Sequence, residues 1–220
     1  MCKLTLRNNE YPGRLIVFEG TDGAGKTTMI AMTEKYLSKK LGAENVVTVK
    51  QPTDMSRKTK LFQKMMYSEN HDDIDYRAVQ LLTMSDRIQH STETIEPALR
   101  SGKTVICDRY IFTSLANMLA RGYCNEAWFF EVAKHILRPD VTFLAYVPPE
   151  TAIARIKSRP SERDRYLNEQ LLINVSKQFS DMAERESFTV LDTACEPSIA
   201  FERVLSALKA EEVRSHDKSR

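Results

Sequence analysis

Long apolar runs, paired cysteines and a surplus of either charge are all missing from this 220-residue sequence. No stretch approaches the roughly 20 apolar residues that a helix needs to span a bilayer, and the first 13 residues lack the apolar core of a secretion signal. No membrane partner is expected, and a cytoplasmic location is. The four cysteines, Cys2, Cys107, Cys124 and Cys195, are far apart and form no Cys-x-x-Cys pair. That speaks against a thiolate metal site and against a disulfide framework, and it fits reduced thiols. Cys107, inside the apolar run 104–107, reads as a small core residue. The 32 lysines and arginines nearly balance 30 acidic residues, for a formal net charge of +2. A general nucleic-acid binder would carry a larger basic excess, so no nucleic-acid partner is expected either. Glycine is sparse, at seven residues, yet Gly20, Gly23 and Gly25 fall in one short segment.

What is present is an ordinary globular balance, 42% hydrophobic and 28% charged, in a length suited to a single domain over 1–220. Short β-rich apolar runs alternate with longer helical patterns. Strands are expected at 14–19, 45–49, 104–107, 141–147 and 188–191, with crossover helices between them. The alternation predicts an α/β domain, a mainly parallel sheet of about five strands with helices on both faces. Ligands in such sheets collect beyond the carboxyl ends of the strands. The charged stretch 209–220 lacks apolar periodicity and is expected to fray.

Residues 20–27 read Gly-Thr-Asp-Gly-Ala-Gly-Lys-Thr and satisfy GxxxxGK[ST]. A buried strand precedes them, and a helical pattern with Ile30, Leu37 and Leu41 on one side follows, which is the context the motif requires. Glycines at 20, 23 and 25 let the backbone turn successive N–H groups onto phosphate oxygens. The new helix adds its positive N-terminal dipole. Thr21, Asp22, Ala24 and Thr28 complete the nucleotide cradle. Lys26 would reach the terminal phosphates, and the Thr27 hydroxyl would ligate Mg²⁺. ATP and Mg²⁺ are the implied cofactors. The loop alone leaves kinase, GTPase and motor open, although no Asn-Lys-x-Asp guanine-reading signal is present.

Taken with the rest of the chain, these residues resemble the thymidylate kinase family. The resemblance rests on FEGTDGAGKTT at 18–28, Gln51-Pro52-Thr53-Asp54, Ser85-Asp86-Arg87-Ile88-Gln89-His90 and Asp108-Arg109-Tyr110. It continues with Val147-Pro148-Pro149-Glu150 and the arginine-rich run 154–165. It implies a three-layer P-loop NTPase fold and ATP-dependent phosphorylation of a nucleoside monophosphate, dTMP or a relative. It further implies that Arg87 and Arg109 grip the acceptor's 5′-phosphate, a task suited to the planar, permanently charged guanidinium. Asp108 would hold the metal through water, and Asp22 would lie near the acceptor sugar and metal. Lys50, Thr83, Ser114 and Asn117 fall at acceptor-binding positions. A lid at about 155–167 would bring Arg155 and Arg159 to the moving phosphoryl group, and Arg163 and Arg165 to ATP. Family members form homodimers, so a homodimer is a further expectation. On the acceptor helix, Ile74, Ala78, Leu81, Leu82 and Ile88 read as the buried stripe, with Thr83, Arg87 and His90 on a second face. His90 reads more simply as a solvated surface residue than as a ligand.

The departures from the family pattern cluster at base-reading positions. Thr83 stands where the family has a stacking phenylalanine. Asn117 and Met118 replace a tyrosine and a glutamine near the sugar and base. Lys50-Gln51-Pro52 replaces Arg-Glu-Pro, a point charge for a fork. Phosphate-handling residues persist while base-handling ones change, which implies an active kinase whose preferred base or sugar differs from that of thymidylate. Phe62 or Tyr67 could supply a replacement ring. A nucleoside kinase and a non-catalytic ATP-binding module are the alternatives, disfavoured by the paired arginines and by the retained Lys26 and Asp108.

Overall fold

The structure is a computed structural model describing residues 4–160 and 166–217. Five strands, β1 (Arg14–Glu19), β2 (Val46–Lys50), β3 (Thr104–Asp108), β4 (Val141–Tyr146) and β5 (Thr189–Asp192), form one sheet in the order β2-β3-β1-β4-β5. Every pairing is parallel. The helices between them are α1 (Lys26–Leu41), α2 (Asp54–Arg57), α3 (Lys60–Tyr67), α4 (Tyr76–His90), α5 (Glu96–Arg100), α6 (Ile111–Ala120) and α7 (Ala127–Ala133). They continue with α8 (Pro149–Lys157), α9 (Glu169–Arg185) and α10 (Pro197–Asp217).

β1 is buried on both sides, so it reads as a continuous apolar run rather than an alternating one. Ile16 and Phe18 point to one layer with Met29, Leu37, Val204 and Leu208 of α1 and α10. Leu15 and Val17 point to the other with Tyr110, Leu115 and Phe179 of the α6 and α9 side. The chain goes from β1 to β2 on one side and crosses from β3 to β4 on the other. That places the topological switch point at β1, where ligands of open α/β sheets bind.

Strand placement follows the sequence to within a residue or so at each end. The polar ends Lys50, Asp108 and Asp192 still pair in the ladder, while Asn45, Val147 and Phe188 fall outside the strands. The expected stripe of α4 is corrected. Leu81 and Ala78 are exposed, Ile74, Leu82 and Ile88 are half-buried, and Tyr76, Val79, Gln80, Thr83, Met84, Asp86 and Arg87 are the buried residues. Leu41 of α1 is likewise exposed, while Ile30 and Leu37 are buried. The stretch expected to fray from 209 instead continues α10 to Asp217.

Candidate active site

The loop after β1 has the backbone its glycines permit. Gly20 and Gly23 have φ of 134° and 78°, and a Cβ would lie 2.4 Å from the carbonyl oxygen of Ala145 or Ala152 respectively. Gly25, also left-handed, leads into α1. The loop is strapped from behind by two residues. The Thr193 hydroxyl donates to the Ala24 carbonyl at 2.6 Å, and Arg155 donates to the Gly23 and Thr193 carbonyls at 3.3 and 3.1 Å. Lys26 is buried, its Nζ donating to the Gly20 and Thr21 carbonyls at 2.9 and 2.8 Å. Burial, then the neighbouring Arg109 charge, pushes its ammonium down to about 7 against the pull of Asp22, Asp108 and Glu19. Thr27 and Thr28 stand exposed on the first turn of α1.

The adjacent strand end supplies the second half of the site. Phe18 of β1 is paired with Asp108 of β3, and the Arg109 amide donates to the Phe18 carbonyl at 2.9 Å. Arg109 adopts φ 68°, a left-handed conformation costly for a residue with a Cβ and typical of functional positions. The turn aims its guanidinium back at the loop, where it donates to the Gly20 carbonyl at 3.0 Å and pairs with Asp22. Asp108 Oδ1 is buried without a hydrogen-bond partner, and Oδ2 lies 3.7 Å from Lys50 Nζ.

Glu19 has no counterpart among the expected site residues. It is fully buried and accepts from the amides of Tyr110 and Thr113 at 2.9 and 3.1 Å and from the Thr113 hydroxyl at 2.5 Å. It caps the start of α6 from 91 residues away, work that Tyr110 at the cap position does not do. Burial pushes its carboxyl up. Glu19→Ala would leave the buried Tyr110 amide and two half-buried donors of Thr113 unpaired, and a void. We expect it to destabilise the fold by about 3 kcal/mol or more. Glu19→Gln keeps an acceptor oxygen, and denaturant titration of both should show a much smaller loss for it.

Behind the loop, α4 faces α6 across a cavity of about 360 Å³. Arg87 is 1% exposed. Its Nη1 donates to Gln51 Oε1 and its Nη2 to Ser114 Oγ, both at 3.1 Å. Gln51 is oriented in turn by His90, which is half-buried and not a solvated surface residue, with Nδ1 3.1 Å from Gln51 Nε2. Asp86 accepts from the Thr53 and Ser56 amides at 2.8 and 3.1 Å and so anchors α2. The short α2 delivers Arg57, whose Nε donates to the Pro52 carbonyl at 2.6 Å and whose guanidinium lies 5.8 Å from the Phe62 ring. Arg57 lines the cavity, where it feels the charges of Arg109, Asp108 and Asp22.

Lys50, Thr83, Arg87, Arg109, Ser114 and Asn117 all line this cavity, as do Phe62 and Tyr67. Met118 does not face it; it is 1% exposed in the core. Arg155 reaches the loop from its rear, whereas Arg159 is exposed beyond the end of α8, with no side-chain hydrogen bond among the described residues. Arg163 and Arg165 lie outside the described residues, as does the rest of 161–165 within the expected lid. No site role was read in the sequence for Arg57, Glu19, Gln51 and Thr193; of these Glu19 and Gln51, each inside a quoted motif, carried a local signal. No described helix is long and apolar enough to cross a membrane.

This geometry can be set beside known proteins. The family model for thymidylate kinase matches residues 18–204. A Pyrococcus horikoshii protein described as "Probable thymidylate kinase" is 41% identical over 150 residues, covering 67% of this chain and 71% of that one. The thymidylate kinase of Desulfotalea psychrophila is 33% identical over 173 residues, covering 78% and 83%. The crystal structure of thymidylate kinase from Ehrlichia chaffeensis superposes with a TM-score of 0.64 at 23% identity, covering 89% of this chain and 98% of that one, a likeness of fold. With the loop, the arginine-lined cavity and the parallel sheet in place, the chain belongs to the thymidylate kinase family of phosphotransferases.

Proposed function

We propose that this chain transfers the terminal phosphoryl group of ATP to the 5′-phosphate of a nucleoside monophosphate, dTMP or a close relative. The observation that carries the reading is the meeting of two sites at one ion pair. Asp22 belongs to the phosphate loop, Arg109 lines the acceptor cavity, and the two are in contact. A donor phosphate on the loop and an acceptor phosphate at Arg109 would therefore be neighbours.

Lys26, the loop amides and the α1 dipole bind and orient the donor phosphates. Arg109 and Arg57 hold the acceptor phosphate, because both share the electrostatic neighbourhood of Asp22 and Asp108. Arg87 faces the acceptor from the cavity wall, fixed by Gln51 and Ser114 and with its buried Nε still without a partner. Asp22 steadies Arg109, and Arg155 buttresses the loop. The residues fit Mg²⁺: Asp108 offers an unpartnered buried oxygen and Thr27 an exposed hydroxyl. Among the described residues no cluster of three metal-ligating side chains occurs. That suits an ion taking most of its ligands from phosphate and water. Bound there, magnesium would neutralise phosphate charge as it is redistributed. Charge stabilisation and alignment are the whole of the protein's task in such a reaction.

An ADP-release assay across nucleosides and nucleoside monophosphates tests the reading. Turnover only with monophosphates is expected. Use of unphosphorylated nucleosides would indicate a nucleoside kinase, and nucleotide binding without turnover a regulatory module. Thr83→Phe supplies the ring missing from the cavity wall. A stacked aromatic is worth on the order of 1–3 kcal/mol per base, so kcat/KM for dTMP should rise about tenfold relative to that of the native acceptor. An unchanged ratio would mean that another ring, such as Phe62, already stacks on the base.

Lys26 makes donor binding pH-dependent. Its folded value near 7 lies below the ordinary 10.5, so the free enzyme loses the proton as pH rises through 7. Anionic phosphates favour the ammonium, and ATP binding above pH 7 should take up a proton and weaken with pH, by at most about tenfold per unit. Between about pH 7 and 10.5 the unfolded chain binds more protons at this site than the folded one. This group's contribution to stability therefore rises with pH across that window. Titration calorimetry in buffers of different ionisation enthalpy reads the proton uptake directly.

A further inference from the structure

One hydroxyl from outside the phosphate loop sets the direction of a peptide inside it. β5 ends at Asp192, and the next residue, Thr193, passes behind the loop with 7% of its surface exposed. Its amide donates to the Tyr146 carbonyl at 2.9 Å, so the end of β5 is already tied to β4 through the backbone. The hydroxyl is left for another task. Its oxygen lies 2.6 Å from the Ala24 carbonyl and 3.0 Å from that of Tyr146, and its single proton serves the nearer.

Successive peptides of the loop differ in what their amides meet. In a planar trans peptide the C=O and N–H point to opposite sides. The Gly23 carbonyl accepts from Arg155 at 3.3 Å, and the amide of the same peptide, that of Ala24, turns to the Thr21 carbonyl at 3.3 Å. The Ala24 carbonyl accepts from Thr193, and the amide of that peptide belongs to Gly25, for which no backbone acceptor occurs among the described residues. Gly25 immediately precedes α1, whose start has no side-chain cap. Its amide therefore joins the N–H groups of the first helical turn, the ones that bind anions. The packing is close: a Cβ on Gly25 would lie 3.1 Å from that of Thr193.

On the reading that this loop holds the donor's phosphates, we propose that Thr193 is a positioning residue for phosphate binding. Its hydroxyl holds the Ala24–Gly25 peptide so that the Gly25 amide faces the phosphate chain. Thr193 touches neither substrate and acts through that amide. Its own carbonyl accepts from Arg155 at 3.1 Å, and Arg155 also holds Gly23, so consecutive peptides of the loop share one anchor beyond β5.

The test uses the full chain with Thr193→Val, Thr193→Ala and Thr193→Ser, and reads ADP binding by titration calorimetry beside steady-state kinetics. Valine puts a methyl group where the hydroxyl lies, nearer the Ala24 oxygen than carbon and oxygen can pack, so the peptide is both released and pushed. It should weaken ADP binding about tenfold or more and lower kcat about tenfold, while KM for the acceptor stays within about threefold. Alanine deletes the bond without the clash and should show the same pattern, less strongly. Serine keeps the hydroxyl and should bind ADP within about threefold of wild type. A hydroxyl that only secures the fold would lower the melting temperature on removal and leave ADP affinity and kcat unchanged; that result overturns the proposal. So does a serine variant as impaired as the alanine one. Should Thr193→Val fail to fold, the alanine and serine variants decide the matter. ADP binding that depends on the hydroxyl, with no ADP release from any monophosphate, would remove the kinase assignment and support the proposal. Wild type that binds no ADP overturns both.

Discussion

Lys26→Ala should lower turnover by about a thousandfold or more while leaving the fold intact. The rate follows from the division of labour in phosphoryl transfer, where positioned charge supplies nearly all of the catalysis. Removing one preorganised donor or arginine typically costs 10²- to 10⁵-fold, and a thousandfold corresponds to about 4 kcal/mol in the barrier. The intact fold follows from the same burial that pushes the ammonium down to about 7. The folded state disfavours this charge, so its removal relieves a desolvation penalty at neutral pH. The melting temperature should stay level or rise. Steady-state kinetics beside a thermal melt checks both halves. A folded variant retaining a tenth of wild-type turnover would separate Lys26 from the chemistry. The rise in stability between pH 7 and 10.5 should also vanish in this variant, which ties the kinetic and the titration behaviour to one nitrogen.

The phosphate loop was legible in sequence because its chemistry demands particular residues in consecutive positions. Gly20 and Gly23 must adopt backbone that a Cβ would block, and Lys26 must follow them at a fixed offset. The strand pattern was legible for a different reason: β1 is apolar on both faces and cannot be read as an amphipathic element. α4 was misread because apolar periodicity detects a helix face against a core, and the buried face of α4 borders a polar cavity. Its inward residues include Gln80, Thr83, Asp86 and Arg87, while Leu81 points outward. Burial there follows the site rather than hydropathy.

Arg57 and Glu19 were missed for reasons of range. Arg57 is delivered by a four-residue helix whose position depends on Asp86, some thirty residues later in the chain. Glu19 sits in an apolar strand and acts on the start of α6, across the sheet. Glu19 falls inside the motif at 18–28, but nothing local there shows that it reaches the start of α6. Met118 shows the converse error. Adjacent positions 117 and 118 on a helix point in different directions, so only Asn117 reaches the cavity and Met118 packs in the core.

Arg109→Ala should reduce kcat/KM for the acceptor by about a hundred- to a thousandfold and disturb the donor side as well. Arg57→Ala should act on the acceptor alone, by about ten- to a hundredfold. The difference lies in what each guanidinium touches. Arg109 donates to the Gly20 carbonyl and pairs with Asp22, so it is built into the phosphate loop as well as the cavity. Its loss removes a charged partner from the acceptor phosphate, worth about 1.5–3 kcal/mol, and also releases the residue that fixes the loop's geometry. Arg57 is tethered to the Pro52 carbonyl and set against Phe62, and its contacts stop short of the loop. Its removal costs the acceptor's phosphate one hydrogen-bonding cation and little else. In the Arg57 variant KM for the acceptor should therefore rise while KM for ATP stays within about threefold. In the Arg109 variant kcat should fall too, because a misplaced loop loses interactions made only in the transition state. Equal effects of the two substitutions on both substrates would mean that the guanidiniums act through one shared element and not as separate grips on the acceptor phosphate.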